Sequence, residues 1–139
     1  MNYLADNFFN ARTRSIDGLM LWNALQPHIE AGDLIVNVGS GDREGLVLVT
    51  YSREYQHSHI CVRWDPLVAN TRGIIFDTTE SYKIVALPFA KFFNYGEGEL
   101  NYPSPSAKIK YIYEKVDGSL GIAFFWHGKW HITTRGSLN

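Results

Sequence analysis

Short apolar runs, most of them closed by glycine, proline or aspartate, recur along this chain from Leu34 to Thr134 and restrict it to a fold built mainly from antiparallel strands. Leu34–Val38 and Leu46–Tyr51 read as two strands joined by the hairpin loop Gly39–Gly45. Ile60–Trp64, the apolar run Ile74–Phe76 and its antiparallel partner Tyr82–Leu87 extend the series. The alternating stretch Lys108–Glu114 reads as a further strand. Leu120–Trp126 and Lys129–Thr134 form a hairpin across the turn His127-Gly128. One helix precedes them, over residues 15–31. Ser15 is its expected N-cap, Asp17 lies in its first turn, and Ile16, Leu19, Met20, Trp22 and Leu25 form a stripe broken late by Pro27. The expected fold class is α+β: an N-terminal helix with mostly antiparallel strands, in one domain spanning residues 1–139.

Composition narrows the function classes. With 45% hydrophobic and 14% aromatic residues, the chain can bury a core and is not a disordered tail. A single cysteine, Cys61, allows no intrachain disulfide and fits a reducing compartment. No apolar run reaches membrane-spanning length, and residues 1–6 lack the pattern of a signal peptide, so a cytoplasmic protein without membrane contact is expected. The net charge of −1 argues against a generic polyanion binder. After Glu80, however, seven cations (Lys83, Lys91, Lys108, Lys110, Lys115, Lys129 and Arg135) face four acids (Glu97, Glu99, Glu114 and Asp117), so the second half leans basic.

Two local patterns suggest ligands and carry little weight. The glycine-rich loop Gly39–Gly45 lacks the Gly-Lys-Ser/Thr ending of a phosphate-binding loop and precedes a strand, so it reads as a hairpin. His57, His59 and Cys61 fall short of the four ligands of a structural zinc site; the histidines read as exposed strand residues. Lys115-Val116-Asp117-Gly118 is different. Asp-Gly is an ordinary turn signal. Yet a lysine at a strand end, next to an acid and a glycine, can also be aimed into a pocket as a nucleophile.

The surroundings decide its weight. Four elements stand in order: Arg72-Gly73-Ile74-Ile75-Phe76, Pro88-Phe89-Ala90-Lys91-Phe92-Phe93-Asn94, Lys115-Val116-Asp117-Gly118-Ser119 and Thr133-Thr134-Arg135-Gly136-Ser137. The hairpin register places Arg135 opposite Leu120, which brings the two Gly-Ser turns together. From about Asn70 onward the set resembles the N-terminal part of the adenylation domain of bacteriophage-type ATP-dependent RNA ligases. These belong to the covalent nucleotidyltransferase superfamily, which includes DNA ligases and mRNA capping enzymes. The Pro-Phe-x-Lys-Phe-Phe-Asn segment favours the RNA ligase branch over a capping-type guanylyltransferase.

The resemblance implies a partial nucleotidyltransferase fold and a three-step reaction with ATP and Mg2+ or Mn2+. Lys115 takes AMP from ATP, AMP passes to an RNA 5′-phosphate, and a 3′-hydroxyl displaces it. RNA ends, tRNA among them, are the implied partners. By the same resemblance, Arg72 and Lys91 contact phosphate or ribose, and Phe92 or Phe93 packs by the base. Glu114 contacts the adenine or ribose side, Asp117 orders the loop, Gly118 admits the nucleotide, and Arg135 neutralises phosphate charge. Lys91 and Arg135 are also the expected neighbours that make Lys115 nucleophilic.

Two departures qualify these expectations. The family usually has Thr-Lys-Gly-Ser where this chain has Thr134-Arg135-Gly136-Ser137, and arginine spreads its charge over a planar fork. The family's later glutamate, base-stacking aromatic and Lys-x-Lys pair have no counterpart before Asn139. Weak or absent ligation by this chain alone is therefore expected, the alternative being a non-catalytic remnant that binds RNA or a protein. An exposed strand edge near Thr133–Ser137 is expected to favour a homo-oligomer.

Overall fold

The computed structural model describes residues 3–59, 63–93, 106–114 and 116–139. Helix α1 (Tyr3–Phe8) leads into the two-residue strands β1 (Phe9–Asn10) and β2 (Ser15–Ile16). Helix α2 spans Gly18–Glu30, and strand β3 spans Leu34–Val38. Strand β4 (Leu46–Tyr51), helix α3 (Arg53–Ser58) and helix α4 (Pro66–Asn70) follow. Strands β5 (Arg72–Asp77), β6 (Lys83–Ala86), β7 (Gly121–Trp126) and β8 (Lys129–Thr134) complete the order. The α+β class expected from the sequence is the class observed.

Helix α2 starts later than its apolar stripe suggests. Ser15 sits in β2, paired with Asn10, and Asp17 is the N-cap, accepting from the Met20 amide at 2.9 Å. Close packing holds this start: a Cβ on Gly18 would lie 2.0 Å from the Tyr82 carbonyl oxygen. The ring of Tyr82 stacks on Trp22 at 4.4 Å, and Trp22 meets Phe76 edge-on at 5.6 Å.

Strands β3, β4, β5 and β6 form an antiparallel sheet in sequence order. All six residues of β4 are buried, because both faces of the sheet are covered. Val47, Val49 and Tyr51 pack with Ile74 and Phe76 against α1, α2 and α4. Leu46, Leu48 and Ile75 pack on the other face against Ile122, Phe124 and Trp126 of the β7–β8 hairpin, and against Leu138. Each large side chain so buried stabilises the fold by about 1.5–3 kcal/mol.

The glycine-rich loop is a hairpin connection, as its sequence indicates, with a single 3-10 turn at Gly41–Arg43. It also ties down the second hairpin. Arg43 donates to the carbonyls of Leu138 and Ile132, and Lys129 meets Asp42 at 2.8 Å.

Three expected strand assignments fail. His57 and Ser58 lie in helix α3, where Ser52 caps the Tyr55 amide, and His59 is its C-cap. A capping serine outweighed strand-like alternation there. Arg63 and Trp64 make no strand, while Ile60, Cys61 and Val62 lie outside the described residues. Residues 108–114 make no strand pairing among the described residues, and every one of them is exposed. Alternation supplies a strand's side-chain pattern but not the neighbour whose hydrogen bonds complete it.

Candidate functional site

Arg72 opens β5 beside a β-bulge. The register passes from Val49↔Ile74 to Thr50↔Arg72, leaving Gly73 as the inserted residue at φ 94°. Ile74 and Phe76 enter the helix-side core, whereas Arg72 lines a cleft. Only glycine suits the bulge. A Cβ at position 73 would lie 2.9 Å from Ile122 Cδ1 and 3.4 Å from Arg135 Cα.

Arg135 reaches the same cleft from the turn after β8, where Thr134 bridges Ser137. The hairpin register pairs Gly121 with Thr134, so the expected meeting of the two Gly-Ser turns is found. Gly118, Ser119 and Leu120 form one wall of the cleft, Thr134, Arg135 and Gly136 another, and Tyr51, Gln56 and Arg72 the remainder. Its volume is about 370 Å³.

Each arginine rests on an aromatic ring. The Arg72 guanidinium lies 4.8 Å from the Phe92 ring centre, and that of Arg135 lies 4.7 Å from the Tyr51 ring centre. Nε and Nη1 of Arg72 are buried and have no hydrogen-bond partner among the described residues. A charged donor pair held out of water without an acceptor is costly.

The other candidates are placed differently. The ammonium of Lys91 sits over Trp64 at 4.9 Å and over Phe93 at 4.6 Å, and its backbone amide donates to the Ala69 carbonyl at 2.7 Å. It is half-buried against rings and lines neither cavity. Phe92 covers Arg72, while Phe93 packs edge-on to Trp64 at 5.8 Å. Asp117 accepts from the Gly118 amide at 2.9 Å. Glu114 is exposed and does not line the cleft. Lys115 lies outside the described residues, as do residues 94–105.

A larger cavity, about 1050 Å³, runs between α1, the segment Val85–Ala90 and β7. It is mainly apolar, and none of the candidate residues lines it. Arg72 and Arg135 line the smaller cleft instead. Among the described residues, no group of three or more His, Cys, Asp or Glu side chains is gathered as a metal site. The divalent cation implied by the resemblance finds no ligand set there.

Tyr51 and Gln56 are cleft residues that the motifs did not point to. Tyr51 ends an apolar strand and Gln56 lies on a short helix. Neither position has a sequence signal, because only the crossing of β4, α3 and β8 makes them neighbours of Arg135.

Residues 70–139 match the RNA ligase family. The chain belongs to this family, in its bacteriophage type. It is also 36% identical over 80 residues to a protein of Autographa californica nuclear polyhedrosis virus, provisionally named a bifunctional polynucleotide kinase/RNA ligase. That match covers 52% of this chain and 11% of the viral protein, so the chain spans about a tenth of its relative's length. No solved structure matches the chain.

Proposed function

We propose that this chain carries the first-step machinery of an ATP-dependent RNA ligase, with Lys115 as the nucleophile. The observation that carries the reading is the pair Arg72 and Arg135, which share one cleft with Gly118 and Ser119 while two buried nitrogens of Arg72 lack an acceptor among the described residues. A triphosphate has the charge and the oxygen geometry to fill such a site.

In the proposed reaction the uncharged Lys115 amine attacks the α-phosphorus of ATP. A P–N bond forms, the bond from that phosphorus to the bridging oxygen breaks, and pyrophosphate leaves. Arg72 and Arg135 would hold the departing negative charge. An RNA 5′-phosphate oxygen then attacks the same phosphorus and frees the lysine. Finally a 3′-hydroxyl attacks the activated 5′-phosphate and expels AMP. Asp117 would hold the loop beside the nucleophile through the Gly118 amide.

The test is incubation with α-labelled ATP and magnesium, followed by denaturation. The expected result is a covalent label that is absent in Lys115→Ala and strongly reduced in Arg72→Ala. Absence of label from the intact chain at high concentration would overturn autonomous adenylation. A label from GTP alone would instead assign a capping-type guanylyltransferase.

A further inference from the structure

We infer that Tyr51 is a positioning residue that fits this cleft to an arginine, rather than a lysine, at position 135. The inference rests on the phosphate-binding reading of the cleft and concerns how its second cation is held. Tyr51 lies outside residues 70–139, the part matched by the family. It is 5% exposed, so its ring cannot turn freely toward solvent. Trp64 braces it edge-on at 5.0 Å, and Tyr55 braces Trp64 at the same distance. The Tyr51 amide donates to the Thr71 carbonyl at 3.1 Å, which fixes β4 against the chain entering β5. The ring is therefore a rigid surface presented to the cleft.

Arg135 lies over that surface, 4.7 Å from its centre. A planar guanidinium can stack on an aromatic face and still aim its N–H fork sideways at a phosphate. A lysine ammonium, compact and flexibly tethered, cannot do both. The backbone contributes as well, since Gly73 lets Arg135 Cα approach β5 closely. The substitution of arginine for the usual lysine and the buried tyrosine beneath it thus form one device.

The test measures binding of inorganic tripolyphosphate to the whole chain, using wild type, Arg135→Lys, Tyr51→Phe, Tyr51→Leu and the double variant Tyr51→Leu/Arg135→Lys. Arg135→Lys should bind roughly three- to tenfold more weakly, although the charge is retained. Tyr51→Phe, which keeps the ring, should bind like wild type. Tyr51→Leu should lose as much as Arg135→Lys, and the double variant should lose no more than either alone. Wild-type affinity in Arg135→Lys overturns the inference without recourse to any variant of the buried tyrosine. Equal loss in Tyr51→Phe and Tyr51→Leu overturns it too, by assigning the effect to the hydroxyl. A wild-type chain that binds no tripolyphosphate removes the phosphate reading itself, and this inference with it.

Discussion

The indole Nε1 of Trp126 donates to Oδ2 of Asp77 at 2.7 Å and joins the inner face of the second hairpin to the end of β5. Asp77 is buried, and its other carboxylate oxygen accepts from the Thr79 amide at 2.8 Å and the Thr79 hydroxyl at 2.6 Å. Burial pushes its pKa up, but the hydrogen bonds from Thr79, Trp126 and the Glu80 backbone together outweigh burial, and the carboxyl titrates below its usual 3.8. A carboxylate whose pKa is depressed in the folded state contributes stability above its unfolded value. Here that contribution should be complete above about pH 4 and be lost as the pH falls below it. Thr79 and Trp126 both donate to Asp77, so Asp77→Asn must set an amide N–H against one of these donors. The cost should be about 1–3 kcal/mol near neutral pH. Urea unfolding should show the gap to wild type shrinking as the pH is lowered from about 6 to about 3.

Gly73→Ala should destabilise the chain by about 1–3 kcal/mol from backbone strain, with the clash against Ile122 added. The same change should push Arg135 away from β5 and weaken tripolyphosphate binding. Unfolding and binding measured on one preparation would check both effects.

Arg72→Met should separate function from stability. The arginine buries two nitrogens that are unpaired among the described residues, and methionine removes that cost while filling similar space. Unfolding free energy should stay within about 1 kcal/mol of wild type. Tripolyphosphate affinity should fall about tenfold or more. A large loss of stability with intact binding would show that Arg72 is structural.

Arg43→Met should release the second hairpin, since Arg43 donates to the carbonyls of both Ile132 and Leu138. A loss of about 1–3 kcal/mol is expected for these charged donors. Amide hydrogen exchange should quicken in β7 and β8 before it does in β4 and β5.

Much of the sheet was legible in the sequence, because Leu46–Tyr51 and Ile74–Phe76 are continuous apolar runs and a strand buried on both faces needs nothing else. The hairpin turn at His127-Gly128 was legible for a similar reason: a two-residue turn sets the register that brings Arg135 opposite Leu120. Helix α3 was hidden because its residues, Arg53–Ser58, carry no apolar stripe and depend on the Ser52 cap. The seat of Lys91 was hidden too: its ammonium lies over Trp64 and Phe93. Two rings separated in the chain by nearly thirty residues make that seat, and no local pattern announces it.

The sequence by itself determined the motif order from Arg72 through Lys115 to Arg135, and with it the RNA ligase family, because such motifs are strings of residue types. It also determined the alternation that builds each hairpin. Only the tertiary structure decided which cations share a cleft. Arg72 joined Arg135 because a bulge at Gly73 re-aimed one strand toward the other hairpin, while Lys91 was held against a separate aromatic cluster. It also decided that Tyr51 lies under Arg135. Those contacts arise from strands and helices crossing in space, and their energies depend on distance and burial, neither of which is written in the order of residues.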